Sequence, residues 1–150
     1  MYETIELISN EEVLNIYESI ADIYELNGET KRALDIYNDL ISKYKDDKII
    51  TLEILIRKAK LFIRTNNVKD FKTILSEIKN YKTEYIRDKK ILNNLVIINA
   101  YDTLFDGDLE KSKHICFNIL KNIEMEPILK GEAHQILAVI DKFSGNPKGQ

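Results

Sequence analysis

Apolar residues recur along the chain at the spacing of an α-helix, in seven separate blocks. In the first block they step by three and four residues, and its apolar members are Val13, Ile16, Tyr17, Ile20, Ala21 and Tyr24. A stripe of this kind predicts an amphipathic helix. No stretch alternates between apolar and polar residues for long enough to indicate a β-sheet. The pattern therefore predicts an all-α fold.

The first block carries start and stop signals for a helix. Ser9 and Glu12 match an S-x-x-E capping box, in which each side chain can satisfy the backbone N–H of the other residue. Gly28 follows the block, and glycine suits the left-handed conformation that ends many helices. A second block begins almost immediately, with Thr30 as its predicted N-cap. Because the intervening loop is so short, we expect an antiparallel helical hairpin.

The other five blocks continue this organisation to the end of the chain. They predict helices over about residues 49–65, 68–82, 87–105, 108–122 and 126–143. Taken in pairs, the helices form units over about 10–45, 48–82 and 87–122, followed by a terminal helix over 126–143. We expect residues 1–150 to form a single domain that is a segment of a larger protein.

The units repeat at a nearly constant interval. The loop residues Gly28, Asn66, Gly107 and Gly145 lie 38, 41 and 38 residues apart, and each follows a helical block. Four alanines keep the same register, namely Ala21, Ala59, Ala100 and Ala138. A small residue is expected where two helices approach closely, because a larger side chain would force them apart. We therefore predict that each alanine lies at a close helix crossing.

The residues around these alanines also follow a pattern, which in the first unit is Tyr17-x2-Ile20-Ala21-x2-Tyr24 followed by Ala33-x3-Tyr37. This pattern resembles that of the tetratricopeptide-repeat family, and the first unit matches it best. The other two units match less closely. The second unit has Leu55-x2-Lys58-Ala59-x2-Phe62 followed by Phe71-x3-Leu75. The third unit has Val96-x2-Asn99-Ala100-x2-Thr103 followed by Ser112-x3-Cys116. The resemblance covers about residues 11–145. The closing proline of the family is absent at Tyr44-Lys45, and the period exceeds the usual 34 residues or so.

The resemblance implies a right-handed α-α superhelix of about three helical hairpins plus a terminal helix. It also implies that the chain holds a protein or peptide and catalyses no reaction. The long units are similar to those of bacterial regulatory and signalling proteins. A scaffold or regulator within such a protein is therefore the expected function, and a peptide-responsive regulator is its closest variant.

The resemblance further implies which residues face a partner, because the first helix of each tetratricopeptide unit lines the concave surface. The residues of these helices that are not assigned to packing are Glu18, Asp22, Glu25, Ile56, Lys60, Arg64, Ile97, Tyr101 and Phe105. In the third unit, packing is assigned to Val96, Ala100 and Thr103, so this helix is apolar on more than one side. Either the terminal helix covers the last three partner-facing residues, or they form an exposed interaction patch.

Charge separates this expectation from nucleic-acid binding. The formal net charge is −3, and residues 1–28 contain seven acidic residues and no basic residue. A phosphate-binding domain is normally strongly basic. A nucleic-acid-binding helical repeat is thus the less favoured alternative, and it would rest on Lys58, Lys60, Arg64, Lys69 and Lys72.

The sequence contains little that suggests catalysis, a cofactor or a metal ion. Its only histidines, His114 and His134, lie twenty residues apart, and no nucleotide-binding, zinc-protease or C-x-x-C motif occurs. Cys116 is the only cysteine, which favours a reducing compartment and hence the cytoplasm. No apolar run approaches the length of a membrane span.

Overall fold

The computed structural model describes residues 9–82 and 86–144, and most of them are helical. The helices in these ranges are α1 (Asn10–Leu26), α2 (Thr30–Lys43), α3 (Lys48–Arg64), α4 (Val68–Lys79), α5 (Lys89–Phe105), α6 (Leu109–Lys121) and α7 (Pro127–Phe143). No strand occurs among the described residues. The all-α prediction is confirmed, and the numbered boundaries differ from the observed ones by at most three residues.

The start of α1 follows the prediction, whereas the start of α2 does not. The backbone N–H of Ser9 donates to Glu12 Oε1 at 3.2 Å, and that of Glu12 donates to Ser9 Oγ at 3.1 Å, which completes the capping box. The N-cap of α2 is Glu29, and Thr30 is already helical. The backbone carbonyl of Glu29 accepts from the N–H groups of Arg32 and Ala33, so the helix begins one residue earlier than predicted.

The first helix of each hairpin ends in the same local structure. Gly28, Asn66 and Gly107 all have positive φ, at 81°, 58° and 82°. In each case the N–H of the next residue reaches back five positions to a carbonyl of the helix: Glu29 to Tyr24 at 2.8 Å, Asn67 to Phe62 at 2.8 Å and Asp108 to Thr103 at 3.0 Å. This is the Schellman arrangement, which satisfies carbonyls that the helix leaves open. The fourth repeat position, Gly145, lies outside the described residues.

The chain divides into two compact units, Met1–Leu61 and Phe62–Gln150, and the division falls inside α3. In the first unit α1 packs directly on α2. Its core consists of the buried side chains Leu14, Ala21, Ala33, Tyr37, Leu40, Ile50, Ile54 and Leu61. The predicted second hairpin is therefore shared between the two compact units and does not form a unit of its own.

In the second unit α5, α6 and α7 each contact the other two. The hydroxyl of Ser112 on α6 donates to the carbonyl of Ala100 on α5 at 2.8 Å, and both residues are fully buried. So short a distance between a side chain and a neighbouring backbone requires small residues at this crossing. The rings of Phe71 on α4 and Phe105 on α5 meet edge to face, with centroids 5.3 Å apart.

Three of the four repeating alanines are buried as predicted. Ala21, Ala59 and Ala100 have almost no exposed surface. The prediction is wrong for Ala138, which is exposed on α7. The buried alanine of that helix is Ala133, since α7 packs through the side that contains Leu129, Ala133, Ile136 and Ile140. None of the described helices is both long and apolar enough to cross a membrane.

We expect Ala59→Leu to lower the free energy of unfolding by roughly 1–3 kcal/mol, because the added methyl groups have no space in the packed interior. Ala138→Leu is the matched control, since the same change at an exposed helical position should alter it by less than about 0.5 kcal/mol. Urea unfolding followed by circular dichroism measures both values. Equal stability of the two variants would contradict the close packing at Ala59.

Candidate interaction site

The three apolar residues predicted to face a partner, Ile97, Tyr101 and Phe105, lie in the second unit and are not open to solvent. Ile97 is fully buried, Tyr101 is 8% exposed and Phe105 is half-buried. The Tyr101 hydroxyl is hydrogen-bonded to Glu132 of α7. Burial, followed by the nearby Glu132 carboxylate, raises the pKa of Tyr101 above its usual value. These residues therefore do not form an exposed patch: Tyr101 lies against the terminal helix, and the Phe105 ring contacts Phe71 of α4.

Of the three α5 residues assigned to packing from the sequence, one is exposed and two are buried. Val96 is 40% exposed, although it was predicted to pack. The other two predicted packing residues, Ala100 and Thr103, are buried. Because α5 contacts both α6 and α7, almost its whole circumference is covered. Beyond its first turn, where Lys89 and Lys90 are exposed, a narrow strip around Val96 and Asn99 remains open.

This strip forms one wall of an open groove in the second unit. The groove has a volume of about 390 Å³ and is lined by Leu92, Leu95, Val96 and Asn99 of α5 and by Ile115 and Asn118 of α6. The α5 residues are spaced three, four and seven positions apart, so they form one continuous face of the helix. A volume of this size falls within the range of about 300–1,000 Å³ that is typical of ligand pockets.

The groove combines an aliphatic lining with two side-chain amides. Leu92, Leu95 and Ile115 are half-buried, whereas Asn99 and Asn118 are exposed. The amide nitrogen of Asn118 lies 3.3 Å from Nε2 of His114 on the same helix. An asparagine amide offers both donors and an acceptor, as a peptide backbone does. The groove can therefore bind an aliphatic side chain and hydrogen-bond the chain that carries it.

The charged residues predicted to face a partner have different surroundings. Glu18 on α1 forms an ion pair with Arg57 on α3, whose side chain is mostly buried, and Arg57 also donates to Asn15 at 3.1 Å. Glu18 therefore serves to join two helices of the first unit. Asp22 is exposed, and Glu25 is half-buried.

The three predicted residues of α3 also differ in accessibility. Ile56 is buried, so the expectation that it faces a partner is wrong. Lys60 is half-buried and Arg64 is exposed. For these two residues, as for Asp22, a role in binding stays a prediction.

Two of the lysines on which nucleic-acid binding would rest are held by the protein itself. Lys58 donates to Asn38 at 2.7 Å. Lys72 on α4 forms ion pairs with Asp102 and Asp106 on α5, and Lys79 lies 3.7 Å from Asp102.

The lysines of α4 stabilise a carboxylate that would otherwise be costly to bury. Asp102 is among the buried residues of α5, and a buried charge needs a partner. Partial burial acts to lower the pKa of Lys72, but the hydrogen bonds and charges of Asp102 and Asp106 outweigh it and raise the pKa. The lysine therefore stays protonated and joins α4 to α5.

The cysteine and the two histidines of the second unit have different surroundings. Cys116 is fully buried, and burial raises the pKa of its thiol to about 11, so the nucleophilic thiolate is disfavoured at neutral pH. His114 and His134 are both exposed. Within residues 9–82 and 86–144, no three His, Cys, Asp or Glu side chains are grouped so that they could hold a metal ion.

Sequence reasoning missed the groove although its signal was present. Leu92, Leu95, Val96 and Asn99 repeat at helical spacing, and the sequence already indicated that α5 is apolar on more than one side. What the sequence lacked was the position of α7. Without it, the side covered by α7 and the side left open could not be distinguished.

We expect Tyr101→Ala to lower the free energy of unfolding by about 3–5 kcal/mol, because it removes a buried aromatic ring. Tyr101→Phe keeps the ring and loses only the hydroxyl that bonds Glu132, so it should cost about 1 kcal/mol. Denaturant unfolding of both variants separates packing from hydrogen bonding. A Tyr101→Ala protein as stable as wild type would mean that this side of α5 is accessible.

Comparison of the chain with protein-family models, curated proteins and solved structures found no match in any of the three. The resemblance to tetratricopeptide repeats therefore rests on the spacing of residues in the sequence.

Proposed function

We propose that this protein is a tetratricopeptide-like interaction module, a right-handed α-α superhelix that holds another protein or a peptide. Its role is scaffolding or regulation within a larger cytoplasmic signalling protein, and it has no catalysis of its own. The repeated Schellman ends of α1, α3 and α5 support the hairpin architecture. The high pKa of the buried Cys116 thiol agrees with a structural cysteine.

The open groove of the second unit is the observation that carries this proposal. Aliphatic side chains line it, yet Val96 at its wall is 40% exposed. Filling the groove with a leucine or isoleucine side chain from a partner would contribute about 1.5–3 kcal/mol. Asn99 and Asn118 would hydrogen-bond the partner's backbone and fix its direction. A short peptide segment with an aliphatic anchor is therefore the partner that fits the groove best.

The same groove serves the closest variant of this function, a regulator that responds to a free peptide. A free peptide and a segment of a larger protein present the same side chains and backbone. One measurement distinguishes the two functions, namely whether a synthetic peptide alone binds as tightly as the whole partner.

We expect Val96→Asp to weaken partner binding at least about tenfold, which corresponds to about 1.4 kcal/mol. A carboxylate in the aliphatic lining would lose its hydration when a partner fills the groove. Partners are first retained on the immobilised protein from an extract of its source cell and identified by mass spectrometry. The affinity of each purified partner is then measured by calorimetry for both proteins.

Ile123→Asp is the matched control, because Ile123 is 91% exposed in the segment between α6 and α7 and does not line the groove. Both variants change an exposed aliphatic residue of the second unit to aspartate. If the Val96→Asp protein retains the partners as well as wild type does, the groove is not the binding site. A wild-type protein that retains nothing above a bare matrix would contradict the interaction module.

We further expect no retention of single-stranded or double-stranded nucleic acid at physiological ionic strength. Phosphate contacts would make such binding fall steeply with added salt, so a titration at low and physiological salt tests it directly. Micromolar binding that is lost when Lys60→Glu and Arg64→Glu are combined would instead support the nucleic-acid alternative.

A further inference from the structure

Asn27 is the only asparagine of the chain that precedes a glycine, and it lies where α1 ends and the chain reverses. Both Asn27 and Gly28 are exposed, so water reaches them. The backbone nitrogen after an asparagine can attack the side-chain amide, which closes a five-membered imide ring and releases ammonia. A following glycine favours this attack, because it has no Cβ to hinder the approach.

The closed hairpin holds the two reacting groups apart. The ψ angle of Asn27 is 5°. Tetrahedral geometry at Cα then places Cβ of Asn27 roughly 120° from the Gly28 nitrogen about the Cα–C bond, whereas ring closure requires both atoms on the same side. The Gly28 N–H also donates to the carbonyl of Glu25 at 3.0 Å, which engages the proton that attack must release. Ring closure therefore requires the turn to open.

We propose that Asn27 is a deamidation site controlled by the opening of the α1–α2 hairpin. In the opened chain, the Gly28 nitrogen bonds to Cγ of Asn27, the Cγ–Nδ2 bond breaks, and Nδ2 leaves as ammonia with the proton of the Gly28 nitrogen. Water then adds to one of the two imide carbonyl carbons. Breaking the bond from the ring nitrogen to Cγ gives aspartate. Breaking its bond to the backbone carbonyl carbon gives isoaspartate, in which the main chain runs through the former side chain.

Both products oppose closure of the hairpin. Isoaspartate adds a methylene group to the main chain, which displaces the N–H groups of Gly28 and Glu29 from the carbonyls that they bond in the closed turn. Aspartate adds a negative charge at the C-terminal end of α1, where the helix dipole disfavours it, and the sequence of α1 contains no basic residue to offset it. The hairpin opens reversibly, and the modification makes the opening permanent.

The hairpin of α5 and α6 shows what a carboxylate at this position requires. Asp106 occupies the corresponding position after α5, and it forms an ion pair with Lys72 of α4. The basic residues at the start of α2, Lys31 and Arg32, are paired with acidic residues of the same region. A carboxylate in place of the Asn27 amide would therefore have to compete for these partners.

The test follows the full chain during incubation at mildly alkaline pH, in buffer and in concentrated urea. Mass spectrometry of the tryptic peptide Met1–Lys31 measures the conversion of Asn27, and labelling by an isoaspartate methyltransferase identifies the isoaspartate product. We expect conversion at least about tenfold faster in urea, because only the opened chain can close the ring. Asn66 and Asn67 are internal controls, since each precedes a residue with a side chain and should convert much more slowly.

Two buried leucines separate opening of the hairpin from loss of structure elsewhere. Leu14 lies in the core of the first unit and Leu129 on α7 of the second, and each is 1% exposed. In buffer, Leu14→Ala should speed conversion of Asn27 at least about fivefold, because lost packing favours opening, whereas Leu129→Ala should stay within about twofold of wild type. Circular dichroism checks that both variants fold. Ile54→Val and Ile136→Val are a milder pair in the same two cores and should act in the same directions.

Three results would overturn the proposal. Conversion in buffer as fast as in urea would show that the closed hairpin does not protect Asn27. Absence of conversion in urea would show that the site is not reactive. Equal acceleration by Leu14→Ala and Leu129→Ala would connect the reaction with unfolding of the whole chain. None of these results changes the expectation for Val96→Asp, because the groove lies in the second unit.

Discussion

Chain reversal after the first helix of each hairpin is the constraint on which the rest of the structure depends. Gly28, Asn66 and Gly107 adopt positive φ, and the residue that follows each one bonds back to the helix it has just left. Few residue types tolerate this conformation, and glycine and asparagine are the usual ones. At Gly28 and Gly107, the reversal brings the next helix beside the previous one within two or three residues. The packing of α1 on α2 and of α5 on α6 follows from it.

Close packing of these hairpins depends on small residues. Ala100 and Ser112 meet on facing helices, and the Ser112 hydroxyl reaches the Ala100 carbonyl at 2.8 Å. This hydrogen bond lets a polar residue take a fully buried position, because its hydroxyl has a partner. Ala33 is buried in the first unit at the matching position after its own loop. A small buried residue thus takes the same position in the α1–α2 and α5–α6 hairpins, whereas the large side chain of Phe71 takes it in α4.

Charge pairs add specificity to this packing. Arg57 and Glu18 join α3 to α1, and Lys72 joins α4 to the buried carboxylate of Asp102 on α5. Such pairs contribute little net stability compared with apolar packing, but breaking one leaves an uncompensated charge. They therefore favour one alignment of the helices over others. The same pairing engages Glu18 and Lys72 within the protein.

By itself, the sequence determined the helices, most of their ends and the hairpins α1–α2 and α5–α6, because these depend on interactions between residues only a few positions apart. The capping box at Ser9 and the reversals at Gly28 and Gly107 are local in this sense. Tertiary structure alone decided which side of a helix is buried. Both α1 and α5 are apolar on more than one side, so their residue patterns do not select a buried face. That choice depends on where distant helices pack. On α5, α7 covers the side with Tyr101, whereas the side with Val96 is open to solvent.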